Sequence, residues 1–473
     1  MAIKEGQRPP SFEENQESQD QNANSPKANG KIIPLAPDFG RSAKVVGDWS
    51  SVPAHESPHE KNKRGELGKP LFNWYFNRTS VDALSRIAFP QSCADSRNVL
   101  QFHVSRAPKS KVNPEKPLGS DPKALTNHIK RVAEFLGAGV VGVAAVHPSM
   151  LYAGHEFFDD GSASGGRGDG SKDTPEATAA KYPYAICIST VWDHEMTQAH
   201  RHHIGDHAYH FTQGDMAVVY ANLVSYIREL GYDAVQNKAQ PMPVALAAGM
   251  GELGRNGLVI TEKHGARVHL GDPILTNMPL IPGKPLDIGV ADFCKVCKKC
   301  ATTCPTNSIS VEDEKVIHNG VEKYKINWEQ CYRLRAHVME FWEICLSCVT
   351  VCPYTKPRAW WHDLAVQTLK RTPGSLRFLT VRALKWLDDT FWGTVPRKRV
   401  KWVGYDTGVI PIKKKKGEAG EAQNDANGTA SHNGHGEPAD PEGKIGYYYP
   451  LKENTRRFEI MKEREERAAK ASK

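Results

Sequence analysis

The sequence predicts an α/β or α+β core followed by a small cysteine-rich module, and three observations carry that expectation. Short β-branched runs, Gly139 to Val146 (GVVGVAAV) and Ala185 to Val191 (AICISTV), read as buried strands. Met216, Val219, Leu223, Ile227 and Leu230 recur at three and four residues, the spacing of an amphipathic helix that ends near Gly231. Eight of the ten cysteines then fall between 294 and 352. Strands alternating with helices place a mixed core over residues 61–290, and the cysteines delimit a module over 291–357.

At 473 residues the chain has room for more than one domain. Residues 1–60 are rich in Pro, Ser, Asn, Gln and charge, and 413–473 form a charged, low-complexity tail, so neither has the apolar content to fold alone. Within that tail, Leu451 to Ala471 has helix-forming composition with few apolar anchors. Residues 358–412 are expected to form a helical cap on the core. The glycine-rich Gly161 to Ser171 lacks the spacing of a phosphate-binding loop and reads as a surface insertion.

Composition narrows the classes. Charged residues are 25% and the apolar set 39%, ordinary for a globular protein. No run of about eighteen apolar residues occurs, so no membrane span is expected. The first thirty residues are polar where a signal peptide would be apolar, and the expectation is a cytoplasmic protein, with an exported mature form left open. The net charge of +8 is dispersed apart from Lys413 to Lys416, which favours a solvated linker over a nucleic-acid site.

The cysteines carry the chemistry. Cys294, Cys297, Cys300 and Cys304 before Pro305 have the C-x2-C-x2-C-x3-C-P spacing of bacterial ferredoxins, in which the close trio wraps one cubane and the fourth thiolate reaches the other. Cys345, Cys348 and Cys352 before Pro353 repeat the last three positions, and Cys331 supplies the missing one. Crossed ligation assigns one [4Fe–4S] cluster to Cys294, Cys297, Cys300 and Cys352, and a second to Cys331, Cys345, Cys348 and Cys304. Zinc knuckles pair differently, and disulfides do not suit a cytoplasmic chain. Cys93 and Cys187 stand apart, Cys187 as a buried structural thiol. Two clusters form a wire, and the long segment ahead of them is expected to hold the acceptor.

From Tyr220 to Gly231 (YANLVSYIRELG), through Ala248 to Leu280 (AGMGELGRNGLVITEKHGARVHLGDPILTNMPL), to Trp360 to Gly393 with its LDDTFWG, the chain resembles the corrinoid-dependent reductive dehalogenases. It is similar, too, to epoxyqueuosine reductase, a relative with the same cofactors. The resemblance implies a nitroreductase-like core that binds cobalamin in the base-off form. Reduced Co(I) would attack an organohalide while a tyrosine donates the proton, with a basic residue favouring the phenolate. An electron-donor protein of ferredoxin or flavodoxin type, or a membrane-linked donor, is the implied partner.

Carried onto this chain, Gly249, Gly251, Gly254 and Gly257 become candidate corrinoid contacts, although glycines so spaced equally permit close approach of another element. Arg267 occupies the basic position, with Arg255 as the alternative. The proton donor departs from the family pattern, since direct register puts Gln213 where its tyrosine stands. Tyr209, four residues earlier, is the first candidate. Asp215, near the relative's carboxylate, is the second, and its bland role is a helix N-cap. His194, His200, His202, His203, His207 and His210 crowd the same region and read as a solvated or substrate-lining face before a zinc site. Two other readings stay open: a corrinoid reductase of a non-halogenated substrate such as a modified tRNA base, and a pure electron carrier.

Overall fold

The computed structural model describes residues 37–58, 111–153, 173–198, 203–236, 238–333, 345–357 and 359–394, with a few isolated positions besides. Outside the described residues lie Cys93, Gly161 to Ser171, Lys413 to Lys416, Leu451 to Ala471 and the remainder of the cap and tail beyond 394. The chain divides into two units, Met1–Pro37 and Asp38–Lys473. In the first, Lys27–Ala28 pairs antiparallel with Lys31–Ile32.

In the second unit an antiparallel sheet forms the centre. Its longest strands are β1 (Val140–Ala145) and β2 (Tyr184–Val191), each within a residue of the sequence expectation at each end, with all of β1 paired to Tyr184 through Ser189 of β2. The other edge of β2 pairs with β3 (Val268–Leu270) and β4 (Ile274–Thr276). Leu270 lies opposite Ser189 and Ile274 opposite Ile186, so three residues, Gly271 to Pro273, face two on β2: a bulge that interrupts what is otherwise one strand. A Cβ at Gly271 would lie 2.3 Å from the Tyr220 hydroxyl, which is why the bulge needs glycine.

Side chains alternate across β2 as a period of two demands. Ile186 and Ile188 join the core formed with α1 (Pro122–Phe135) and α2 (His203–Glu229), while Ala185 and Cys187 face α3 (Pro241–Ala247). The result is a helix–sheet–helix sandwich of α+β type. Met216, Val219, Leu223, Ile227 and Leu230 all lie in the first of these cores, and α2 ends beside Gly231 at φ 84°. The helix starts thirteen residues before Met216, because its first turns carry polar residues that hide the periodicity. Asp215 is therefore mid-helix and does not cap it.

Residues 38–58 depart from the expectation of an unstructured polar leader. Phe39 and Ala43 are buried, Lys44–Val45 pairs with Val321–Tyr324, and Val52–Pro53 pairs with Tyr152–Ala153. Their partners lie far away in sequence, so no local pattern announces them. Arg41 adds an ion pair to Asp292 at 2.8 Å.

Toward the C-terminus, α4 (Val290–Cys297) packs against α6 (Gly374–Trp392), with α5 (Trp360–Arg371) beside it. Arg377, buried on α6, donates to both carboxylate oxygens of Asp287 at 2.8 Å and to Asp292 at 3.3 Å. Burial opposes charge on Asp287, but Arg377 and the Gly289 N–H outweigh it and hold its pKa below the ordinary value.

Leu223→Ala is expected to cost about 2–5 kcal/mol of stability, read by urea unfolding followed by far-UV circular dichroism. Because the folded pKa of Asp287 is depressed, its contribution is present above the unfolded carboxylate value and lost as pH falls through the folded one. The stability gap between the native chain and Asp287→Asn should therefore close below about pH 4; a gap that persists there rules out the carboxylate charge as its source.

Candidate redox centre and proton-donor site

The cysteine-bearing loop is built from tight turns. α4 begins at Gly289 with φ 80°, and the carboxylate of Glu252, fully buried, accepts from the N–H groups of Ile288 at 2.7 Å, Val290 at 3.0 Å and Ala291 at 3.3 Å. An acid at a helix N-terminus satisfies donors that otherwise lack partners. Burial still dominates and raises the Glu252 pKa. At the other end of α4, Lys298 adopts φ 56°, a left-handed turn that redirects the chain between Cys297 and Cys300.

This turn brings Cys294, Cys297, Cys300 and Cys352 around one cavity. Burial pushes Cys294 and Cys352 up to about 12 and Cys300 well above its usual value, and the thiols of Cys294, Cys352, Cys348 and Cys297 push Cys300 in the same direction. Around Cys348 the neighbouring charges are those of Cys345, Cys331, Cys304 and Cys352. The eight cysteines thus gather as two neighbouring sets, one around Cys300 and one around Cys348. Among the described residues no His, Cys, Asp or Glu group is arranged to hold a single metal ion. Backbone donors already point at sulfur: Arg255 N–H to Cys294 at 3.4 Å and Ser308 N–H to Cys304 at 3.3 Å.

Arg255 has a fully buried side chain. Its guanidinium donates to the carbonyls of Cys294 at 3.0 Å, Ser310 at 3.0 Å and Glu312, pairs with Asp313 at 2.7 Å, and lies 4.0 Å from the centre of the Tyr324 ring. Opposite, the buried Lys299 ammonium pairs with Asp388, with Asp389 at 2.7 Å and with the Gly393 carbonyl at 2.8 Å, tying the LDDTFWG segment to the cysteine loop.

The candidate proton donor lies in a second cluster of side chains. Tyr209, Thr212 and Met216 share a face of α2. The Tyr209 ring meets Trp192 edge-on at 6.5 Å and leans on His269 at 4.7 Å. Arg267 donates to the Trp192 carbonyl, and the Trp192 N–H returns a bond to the Arg267 carbonyl at 3.2 Å. Trp192 thus brings Tyr209 and Arg267 into one neighbourhood. Burial lowers the pKa of Arg267, partly offset by Asp193. Two donors there, Trp192 Nε1 and Arg267 Nε, are buried without a partner.

Asp215 is exposed, about 120° around α2 from Tyr209. Gln213 is partly buried one turn from Tyr209. Sequence reading passed over Trp192, Thr212 and His269. His269 lies two residues beyond Arg267, so strand alternation places both on one face. Thr212 Oγ1 donates to the Tyr209 carbonyl at 2.7 Å and meets His269 Nδ1 at 3.3 Å. Burial disfavours the charged imidazolium and holds His269 down at about 4, neutral at physiological pH.

The glycines lie against protein. A Cβ would fall 2.0 Å from the Lys284 carbonyl at Gly249 and 2.4 Å from the Ile260 carbonyl at Gly251. At Gly254 it would meet the Asn256 side chain at 2.6 Å, and at Gly257 Ile326 at 2.3 Å. Gly249 and Gly257 have positive φ. Close approach of the chain to itself accounts for glycine at all four. Among the histidines, His194 opens a short helix and His200 is fully buried, with Nδ1 3.4 Å from the Gln198 carbonyl. His202 and the side chains of His203, His207 and His210 lie outside the described residues. Cys187 is buried in β2, and burial raises its thiol far above the ordinary range.

Fold and cysteine module together define an iron–sulfur protein on a mixed α/β core, and residues 293–356 match the 4Fe-4S dicluster domain family. The tetrachloroethene reductive dehalogenase of Sulfurospirillum multivorans is 31% identical over 277 residues, 52% of this chain and 53% of that protein. That of Dehalobacter restrictus is 44% identical over 107 residues, 22% of this chain and 19% of that one. The solved catabolic reductive dehalogenase NpRdhA superposes with a TM-score of 0.58 at 22% identity, covering 78% of this chain and 49% of that one. The chain is thus a homologue of the reductive dehalogenases, spanning about half the length of the Sulfurospirillum protein and of the solved structure. Epoxyqueuosine reductase of Listeria monocytogenes is a more distant relative, 41% identical over 66 residues, 14% of this chain and 16% of that one.

Arg255→Met should weaken the seat of the cysteine module by on the order of 3 kcal/mol, because several charge-assisted bonds vanish at once. The check is faster bleaching of the visible cluster absorbance in guanidinium; unchanged bleaching would remove Arg255 from this role.

Proposed function

We propose that this protein is a reductive dehalogenase: an oxidoreductase that removes halide from an organohalide using two [4Fe–4S] clusters and a base-off corrinoid held by a nitroreductase-like core. The observation that carries the reading is the joining, by Arg255 and α4, of an eight-cysteine module to a core that also holds the Tyr209–Trp192–Arg267 neighbourhood. Sequence relatives named as dehalogenases support it, as does the likeness of fold to a solved one.

The residues fit a corrinoid in one concrete respect, the unspent buried donors of Trp192 and Arg267, which suit a ligand rich in acceptors. When bound, the corrinoid supplies reductive cleavage of the carbon–halogen bond. Cys294, Cys297, Cys300 and Cys352 hold one cluster, and Cys331, Cys345, Cys348 and Cys304 the other, in crossed ligation. Gly249, Gly251, Gly254 and Gly257 let their segment fold tightly, which is compatible with backbone contact to the corrinoid. Tyr209 donates a proton from its hydroxyl to the carbon that has lost halogen, and the Arg267 charge favours the phenolate left behind. Trp192 orients both. A ferredoxin- or flavodoxin-type protein, or a membrane-linked donor, supplies electrons. No helix among the described residues is long and apolar enough to cross a membrane.

Anaerobic turnover of a halogenated panel, with halide release measured and cobalamin supplied, tests the reading. Tyr209→Phe should slow halide release by about 10²- to 10⁴-fold with iron and cobalamin content unchanged, and Arg267→Met should give a smaller loss. Full activity in Tyr209→Phe together with an inactive Asp215→Asn would transfer the donor role to the carboxylate. Cys297→Ala should lose or convert one cluster and stop multiple turnover; eight irons per chain with normal activity would sink the ligation scheme.

A further inference from the structure

Several cations stand around the first set of cysteines, and most of them are spent. Arg255, beside Cys294, is paired with Asp313, which Lys298 shares. Lys299, between Cys297 and Cys300, is paired with Asp388 and with Asp389 at 2.7 Å, and Lys385 is paired with Asp389 as well. Two lysines there meet two aspartates, so the charges of that group cancel.

Lys356 is different. It follows the short turn Pro353–Thr355 that begins at Cys352, and its ammonium lies 5.3 Å from the centre of the Trp392 ring. Lys299 reaches the same end of α6 through the Gly393 carbonyl. An aromatic face attracts a cation without neutralising it. No carboxylate among the described residues lies within ion-pairing distance of Lys356. Burial opposes its charge, whereas Asp388 and the sulfurs of Cys352 and Cys297 favour it. That charge is left in excess beside Cys352 and Cys297.

The contacts described around the second set are neutral: Thr306 Oγ1 is 3.4 Å from the Cys304 sulfur, and Ser347 Oγ is 3.4 Å from that of Cys345. One-electron reduction makes a cubane held by thiolates more negative, so an uncompensated cation nearby favours the reduced form, and net charge is one of the levers that set such potentials. At the effective dielectric of about 20 that suits proteins, a full charge within about 10 Å shifts such an equilibrium by about tenfold. Cys294, Cys297 and Cys352 also pack in the apolar cluster that holds Trp192 and Tyr209, which only Cys348 of the second set joins.

We propose that Lys356 tunes the cluster of Cys294, Cys297, Cys300 and Cys352, holding its reduction potential up so that an electron from the donor protein settles beside the Tyr209 neighbourhood. Lys356 acts through the cluster and touches no substrate. The inference rests on the crossed ligation of two clusters proposed above, and not on which substrate is reduced.

The test is a dithionite titration of the purified holoprotein followed by electron paramagnetic resonance, which reads each cluster as it takes up one electron. Lys356→Met keeps a long side chain against Trp392 and removes its charge. It should lower one of the two midpoints by about 59 mV, the equivalent of tenfold for a one-electron couple, leave the other in place and keep the iron content of the native chain. Lys356→Arg keeps the charge on a different stem and should hold the native midpoint. Unchanged midpoints with full iron content, equal shifts of both midpoints, or the same shift in Lys356→Arg would overturn the tuning and leave the ligation scheme standing. Loss of iron from both Lys356→Met and Lys356→Gln would overturn it too, since the side chain would then hold the module together. Fewer than eight irons in the native chain would overturn the ligation scheme, and the tuning with it.

Discussion

Gathering eight cysteines in so small a module is the constraint around which the rest is arranged. Sulfur held at a raised pKa is poor at carrying charge by itself, so the loop is shaped for bound iron, and charged groups brace it from two sides. Arg255 spends its guanidinium on the carbonyls of Cys294, Ser310 and Glu312 and on Asp313, spanning the module from its first cysteine to the segment after Cys304. Glu252, three residues earlier, caps the helix that carries Cys294 and Cys297. A buried charge of each sign on one short segment therefore positions both ends of that helix's attachment to the core. Breaking either leaves an unpaired group in a dry place, which is why such pairs hold geometry more than they add net stability.

The C-terminal helices are held by the same device. Lys299 lies between Cys297 and Cys300 and reaches Asp388 and Asp389, while Arg377 reaches Asp287 and Asp292 just ahead of Cys294. α6 is thus clamped at both of its ends to the loop bearing the first cluster's cysteines. That clamp also sets which side of α6 faces outward.

Around Tyr209 the chemistry is of another kind. Here the side chains named are mostly neutral: an indole, an imidazole kept unprotonated by burial, a threonine that bridges helix and strand. Arg267 is the cation that joins them, bound to the Trp192 carbonyl with its Nε unspent.

Spacing within the chain determined the cysteine module, since C-x2-C-x2-C-x3-C-P is a local pattern whose turns follow from the covalent chain; continuous β-branched runs marked β1 and β2, and a period of three and four marked the apolar face of α2. Tyr209 and Arg267 could be named as candidates from the sequence, and it left open which chain elements the four glycines adjoin. What tertiary structure decided was long-range. Residues 38–58 find partners beyond residue 150 and beyond 280, the first thirteen residues of α2 are helical despite their polar composition, and His269 and Trp192 meet Tyr209 only after strand, helix and loop converge. Local patterns record which face of an element is buried, but not what it is buried against. Arg255 makes the difference plain: the sequence offers it only as the alternative to Arg267 for the basic position, and the folded chain surrounds it with the carbonyls that give it another task.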